Sequence, residues 1–196
     1  MKLYLLTIGI SMFVISVFNI IFETASWYYV VIAVIWCTGL QFAFDGIIAI
    51  VINKMPDSWF GVDNPLYRVS QKERQLYKKL RVRDWKDKVW ELGHLGGFSK
   101  KILREPDNPA YIEKFIVECN KGVLTHRLSY PVGFLAMITI AGSCAFTIAL
   151  PVATVNLFLN ILPTLALRYN TPMLKAILVR LRKKQNLKEY IYSKSI

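Results

Sequence analysis

The chain has 196 residues, 54% of them apolar and only 19% charged, with 25 Lys and Arg against 13 Asp and Glu. Soluble domains carry roughly 25% charge, and here the charges are swept out of two stretches near the start and one long stretch near the end. This excludes a disordered chain, a disulfide scaffold and an ordinary soluble domain, and leaves a small polytopic membrane protein. Cys37, Cys119 and Cys144 have neither pairing nor CxxC spacing, and read as small buried side chains.

Leu3 to Phe22 contains no charge and is long enough to cross a hydrocarbon core of about 30 Å. The run is too long for a signal peptide, and Glu23 spoils a cleavage site, so it reads as a retained span over 3–22. A second span covers 27–52, opened by Trp27, Tyr28 and Tyr29 as an interfacial aromatic belt and holding one charge, Asp45. Leu128 to Leu167 is also free of charge, about 60 Å as helix, too long for a single crossing. It reads as two spans, 128–150 and 152–167, with the break at Leu150-Pro151, because proline removes a helix hydrogen bond. The predicted fold is all-α: one polytopic membrane domain over 1–196, with four transmembrane helices plus interfacial amphipathic cytoplasmic helices.

The cationic residues set the orientation. Residues 54–127 carry sixteen Lys and Arg and residues 168–196 carry eight, whereas the two other links carry none. The positive-inside rule therefore places both termini and the 54–127 loop in the cytoplasm. In that loop Val69, Leu76, Leu80, Trp85, Val89 and Leu92 recur at mostly helical spacing among Lys and Arg. This predicts a basic amphipathic helix over 66–92, ended by Gly93, Gly96 and Gly97. After Pro106-Asp107-Asn108-Pro109 a second helix is predicted from Ala110 into the third span, with Ile112, Phe115, Ile116 and Cys119 on one side. A basic C-terminal helix, 171–196, is predicted to begin after Pro172. These cations attract anionic membrane lipid. Nucleic acid is excluded as a partner, since no recognition motif accompanies them.

Four polar residues fall at membrane depth. Asp45 lies eight residues before Asn53 and Asn160 eight before Arg168, about 12 Å inside the interface if both helices meet it there. Gln41 and Asn156 lie one turn further in, on the same helix faces. Asp45 and Asn160 are therefore expected to approach each other. They read either as a polar pocket for substrate or as interhelical hydrogen bonds that hold spans two and four together. His126 sits where the third span meets the cytoplasm, and His94 in a glycine-rich stretch. No HExxH, GxSxG, P-loop or clustered Cys/His set is present, so no metal is expected.

The order Leu76-Tyr77-x-x-Leu80-x-Val82-Arg83-x-Trp85-Lys86-Asp87-Lys88, Tyr111-Ile112-x-x-Phe115-Ile116-x-Glu118, Leu124-Thr125-His126, Asn160 and Arg168-Tyr169-Asn170 resembles the glycosyl-4,4'-diaponeurosporenoate acyltransferase family over residues 76–184. The resemblance implies a bacterial cell-membrane enzyme that moves a fatty acyl group to a sugar hydroxyl of a membrane glycolipid. It further implies His126 and Glu118 in catalysis, with Trp85, Tyr169 and Asn170 in the substrate site. Two positions depart from the pattern: Val123 stands where the family tends to have a Glu, and Leu167 where it has Gln. A Glu at that position would orient the imidazole; Glu118 is poorly placed to replace it unless Gly122 breaks the helix. Either another group orients His126 or the chemistry has drifted.

Acyl transfer to an alcohol needs a base and oxyanion donors. His126 is the neutral-pH base in the matched region, expected to face a cavity shared with Asn160 or Asn170. Asn160, Arg168 or a backbone N–H would supply donors, and Arg81, Arg83 and Lys86 suit an anionic headgroup or the phosphates of an acyl-thioester donor. No cofactor is expected beyond that donor. The oligomeric state is left open. The alternative is a non-catalytic membrane scaffold or lipid-binding subunit. A small transporter is a third reading, with little support because no internal repeat is evident.

Overall fold

The computed structural model describes residues 2–89, 98, 100 and 102–194, and these residues form helices and turns without a strand. Leu92, His94 and the glycines at 93, 96 and 97 lie outside the described residues. Three helical runs are long and apolar enough to cross a membrane: 4–21, 27–54 and 145–194. This is a membrane protein. The runs comprise α1 (Lys2–Ile21), α2 (Trp27–Lys54), and α6 (Leu150–Lys194) with the π-helical turn Ala145–Ala149 in front of it.

The expected third span, 128–150, is not one helix. Helix α5 (Pro109–Val132) begins within one residue of the predicted Ala110, with Pro109 as its first residue, but gives way to a 3-10 turn over Gly133–Thr139. The chain then becomes extended at Ile140 and turns through Gly142, whose φ of +63° favours a residue without a Cβ. The break therefore falls near 140–142 and not at Leu150-Pro151. Pro151 sits inside the helical run because its defect is repaired. The α-helical donor to Thr147 O would be residue 151, which has no N–H, and Asn19 Nδ2 donates to that carbonyl at 2.9 Å instead.

The chain divides into two compact units, Met1–Asn53 with Leu124–Thr164, and Lys54–Val123 with Leu165–Ile196. In the first, Val30, Ala33, Val34 and Cys37 of α2 pack with Ile15 of α1 and with Ala136, Ile148, Ala149 and Val152. Small residues at this contact let the backbones approach closely, as membrane helices require. Phe13, Ile32 and Phe158 point outward, the arrangement expected where the surrounding solvent is lipid. Asn19 is fully buried; Nδ2 also donates to Ile15 O at 2.8 Å, and Oδ1 accepts from Thr24 Oγ1 at 2.7 Å.

In the second unit the helix expected over 66–92 is two shorter ones, α3 (Gln71–Lys79) and α4 (Val82–Trp85), followed by a 3-10 turn at Lys86–Lys88. Ser70 and Glu73 form a reciprocal capping box that starts α3, so Leu66 and Val69 lie before the helix. Arg81 adopts a left-handed φ of 48°, and Trp85 Nε1 donates to Leu80 O at 2.9 Å, closing the bend. The 3-10 turn Asp57–Phe60 is tied to α5 by Asn120 Nδ2 donating to Phe60 O at 2.8 Å and by the Lys121–Asp57 ion pair. Ile112, Phe115, Ile116 and Cys119 share one buried face, packed on Leu174 and Leu178. Gly122 does not break α5; a Cβ there would stand 2.9 Å from Leu167 Cδ1, so the glycine admits that side chain. Helix α6 runs through Pro172, so no separate C-terminal helix begins there. All three cysteines are buried, and none forms a disulfide among the described residues.

Asn19 supplies the donor that Pro151 withholds, so Asn19→Ala should destabilise the protein by about 1–3 kcal/mol, the cost of an orphaned buried polar group. Thermal unfolding in detergent, read by circular dichroism, checks this. An unchanged midpoint would mean that water or another donor serves Thr147 O.

Candidate active site

His126 lies on α5 and Asn156 and Asn160 on α6, all in the first unit with Asp45 of α2. His126 Nδ1 is 2.8 Å from Asn160 Oδ1. Asn160 Nδ2 donates to Asp45 Oδ2 at 3.2 Å, to Asn156 O at 3.1 Å and to Asn156 Oδ1 at 3.1 Å. Asp45 and Asn160, matched for depth in the sequence, thus meet. Three oxygens around Nδ2 fix the amide's orientation, and Oδ1 can only accept. In the neutral imidazole the proton therefore sits on Nδ1, and Nε2 carries the lone pair.

Within this chain Asp45 Oδ1 and Asn156 Nδ2 are buried with no hydrogen-bond partner. A Cβ on Gly133 would stand 3.1 Å from Asn156 Nδ2, so the glycine leaves room for that amide. Gln41 is buried one turn before Asp45 and, with its amide turned to satisfy both ends, donates to Val152 O at 3.3 Å and accepts from Ala153 N at 3.1 Å. Gln41 and Asn156 also edge a largely apolar cleft formed by α1, α2 and α6, lined by Tyr4, Ile8, Met12, Phe42, Val155 and Leu159.

The remaining expected site residues lie in the second unit. Arg168 makes a two-pronged pair with Glu73: Nε donates to Oε1 and Nη2 to Oε2, the latter at 2.7 Å. Nη2 also donates to Arg68 O at 3.1 Å, and Tyr77 OH donates to Glu73 Oε1. Glu73 was not singled out from the sequence, although the Ser70-x-x-Glu73 capping box marked it. Trp85 and Tyr169 pack against the small core of Val69, Tyr77 and Val82. Arg81 and Arg83 are exposed, and Lys86 pairs with Asp87 at 2.7 Å. Glu118 lies 3.9 Å from Lys121, Val123 is buried, and Asn170 Oδ1 is buried without a partner. Among the described residues no group of three His, Cys, Asp or Glu is arranged to hold a metal.

Long apolar helices that carry a linked imidazole, amide and carboxyl define a helical membrane protein. The sequence profile of the glycosyl-4,4'-diaponeurosporenoate acyltransferase family matches residues 56–180, and the chain belongs to that family. No curated protein and no solved structure matches it. The match starts at residue 56 and not at 76, and so takes in the Asp57–Phe60 turn and the Ser70–Glu73 box.

Two measurements follow from this geometry. Only two histidines are present, so ¹⁵N-histidine NMR of the His94→Gln protein isolates His126. Its neutral form should show a protonated Nδ1, and Asn160→Leu should abolish that preference. The second concerns acid. Burial alone would raise the Glu73 carboxyl, but hydrogen bonds from Arg168 and Tyr77 and the Arg168 charge hold it below the usual carboxylate range. A lowered folded-state pKa gives stability that is present above the unfolded pKa and lost as pH falls through the folded one. The wild type should thus lose stability on acidification below the ordinary glutamate range, and Glu73→Gln should be less stable at neutral pH with a flatter acid limb. Melting temperature against pH checks both.

Proposed function

We propose that this protein transfers a fatty acyl group to a hydroxyl, that of a sugar, on a membrane glycolipid, at the inner leaflet. The observation that carries the reading is the Nδ1···Oδ1 contact of 2.8 Å between His126 and Asn160, which leaves Nε2 as the basic atom of the ring. Family membership supplies the reaction class. Inner-leaflet chemistry is supported by the crowding of Lys and Arg into 54–127 and 168–196.

In this reading His126 Nε2 takes the proton of the acceptor hydroxyl as its oxygen attacks the acyl carbonyl. The carbonyl electrons move onto oxygen, and the oxyanion is met by N–H donors. Asn156 Nδ2, buried without a partner, is better suited to that task than Arg168, whose guanidinium is engaged by Glu73. Collapse expels the donor's leaving group, a thiolate if the donor is an acyl-thioester, which recovers the proton from His126. Asn160 is a positioning residue: it holds the ring and fixes the tautomer, the task that a Glu at Val123 would otherwise serve.

Val123 in place of the family's Glu favours a second reading, a lipid-binding subunit without turnover. One experiment separates them. His126→Gln, reconstituted with a glycolipid acceptor and an acyl-thioester, should lose acyl transfer by about 10²–10⁴-fold, read by mass spectrometry of the lipid product. Its melting temperature should stay near wild type. A folded variant that transfers acyl groups at the wild-type rate removes His126 as the base, and a wild type that yields no product under the same conditions favours the subunit.

A further inference from the structure

The second unit contains a polar cavity of about 510 Å³ that no part of the acyl-transfer chemistry uses. Its walls are the segment from Asp63 to Arg74 and the stretch of α6 around Thr171 and Lys175. Three cations line it, Arg68, Arg74 and Lys175, against one carboxyl, Asp63. Among the described residues four other cations each have a carboxylate of their own: Arg168 has Glu73, Arg182 has Glu113, Lys121 has Asp57 and Lys86 has Asp87. Arg68 and Arg74 form no ion pair among the described residues, and Lys175 Nζ donates to the carbonyl of Val62 and feels the charge of Asp63. A concave site with three cations against one carboxyl attracts an anion, and guanidinium forks suit planar or tetrahedral oxygens.

The cavity is also built, not incidental. Arg168 ties both sides together, forking onto Glu73 and donating to the Arg68 carbonyl at 3.1 Å, so the 68–74 segment is fixed against α6. The same box that binds Glu73 places the N-terminus of α3, at Ser70 and Gln71, on the cavity wall, where its partial positive charge adds to that of the side chains. Planar guanidinium forks, an ammonium and a helix N-terminus fit the tetrahedral, multiply charged oxygens of phosphate. The volume takes a diphosphate or a phosphate-bearing headgroup, and is far larger than one carboxylate needs.

We propose that this cavity is a phosphate-binding site, with Arg68 and Arg74 as its principal ligands, Lys175 as a third cation and Asp63 as the residue that limits its affinity. The phosphate comes either from a soluble carrier, such as the phosphate-bearing part of an acyl-thioester, or from a phospholipid headgroup. The inference goes beyond acyl transfer and stands without it, since binding is read without turnover.

The test uses the full chain in detergent and isothermal titration calorimetry, with inorganic pyrophosphate in one arm and short-chain phosphatidic acid below its micelle concentration in the other. At least one probe should bind saturably; pyrophosphate alone identifies a soluble carrier, and phosphatidic acid alone a headgroup. Arg68→Gln and Arg74→Gln should each weaken that binding about tenfold or more, the loss of one charge-assisted contact. Both residues are exposed and unpaired, so the unliganded melting temperature should not move. Asp63→Asn should tighten binding, which keeps the proposal testable if either arginine variant fails to fold. Failure of both probes to bind the wild type overturns it, as does an affinity that none of the three substitutions changes.

Discussion

A polar group in an apolar helix must find its partner inside the protein, because the hydrocarbon around it offers none. That constraint organises the first unit. Asn160 meets it with one amide that serves three neighbours, donating to Asp45 and Asn156 while its oxygen faces His126. Asn19 meets it on behalf of Pro151, by closing a carbonyl that the proline cannot reach. Neither amide is replaceable by an apolar residue of similar size, since each removal would orphan several groups at once. Two of the buried atoms left without a partner, Asp45 Oδ1 and Asn156 Nδ2, belong to the residues that Asn160 binds, where a substrate is proposed to bring its own polar groups.

The second unit answers a different problem, an excess of positive charge. Arg168 is buried, and its charge is matched by the two oxygens of Glu73, themselves supported by Tyr77. Such a fork gives geometric specificity more than stability, because desolvating both ions offsets much of their attraction. What it specifies is the approach of the Ser70–Lys79 region to α6, and hence where Arg68 and Arg74 stand. One arginine is consumed in structure so that others are left over in a defined place.

Much of this was legible in the sequence, and the failures have physical causes. Spans over 3–22 and 27–52 follow from uninterrupted apolar runs, and α1 and α2 occupy them. The meeting of Asp45 and Asn160 followed from counting helical rise back from the interface on both helices. The break in the long apolar stretch was assigned to Pro151, since proline is the stronger local signal. The structure spends a left-handed Gly142 on the turn and repairs the proline with a side chain from α1, a contact 128 positions away that no local rule contains. Residues 66–92 had helical spacing, but the capping box at Ser70 and the Leu80–Arg81 bend divide it. The partner of Arg168 was hidden for the same reason: Glu73 was legible as a cap and not as a counter-ion 95 positions distant.

In the proposed reaction the group that orients His126 is a neutral amide, Asn160, where a carboxylate would be the stronger choice. A carboxylate on Nδ1 both fixes the tautomer and stabilises the imidazolium that forms when the ring accepts a proton; a neutral amide does the first fully and the second only by its dipole. Val123 is buried, and its aliphatic side chain offers neither. Asn160 offers the dipole, and its own N–H group donates to the Asp45 carboxyl, 3.2 Å away, which polarises the amide so that more negative charge rests on Oδ1. A carboxyl thus acts on the ring through one intervening amide instead of by direct contact. The arrangement trades some imidazolium stabilisation for an acidic group on a separate helix, and under the proposed mechanism it gives α2, outside the family match, a part in the chemistry of residues inside it.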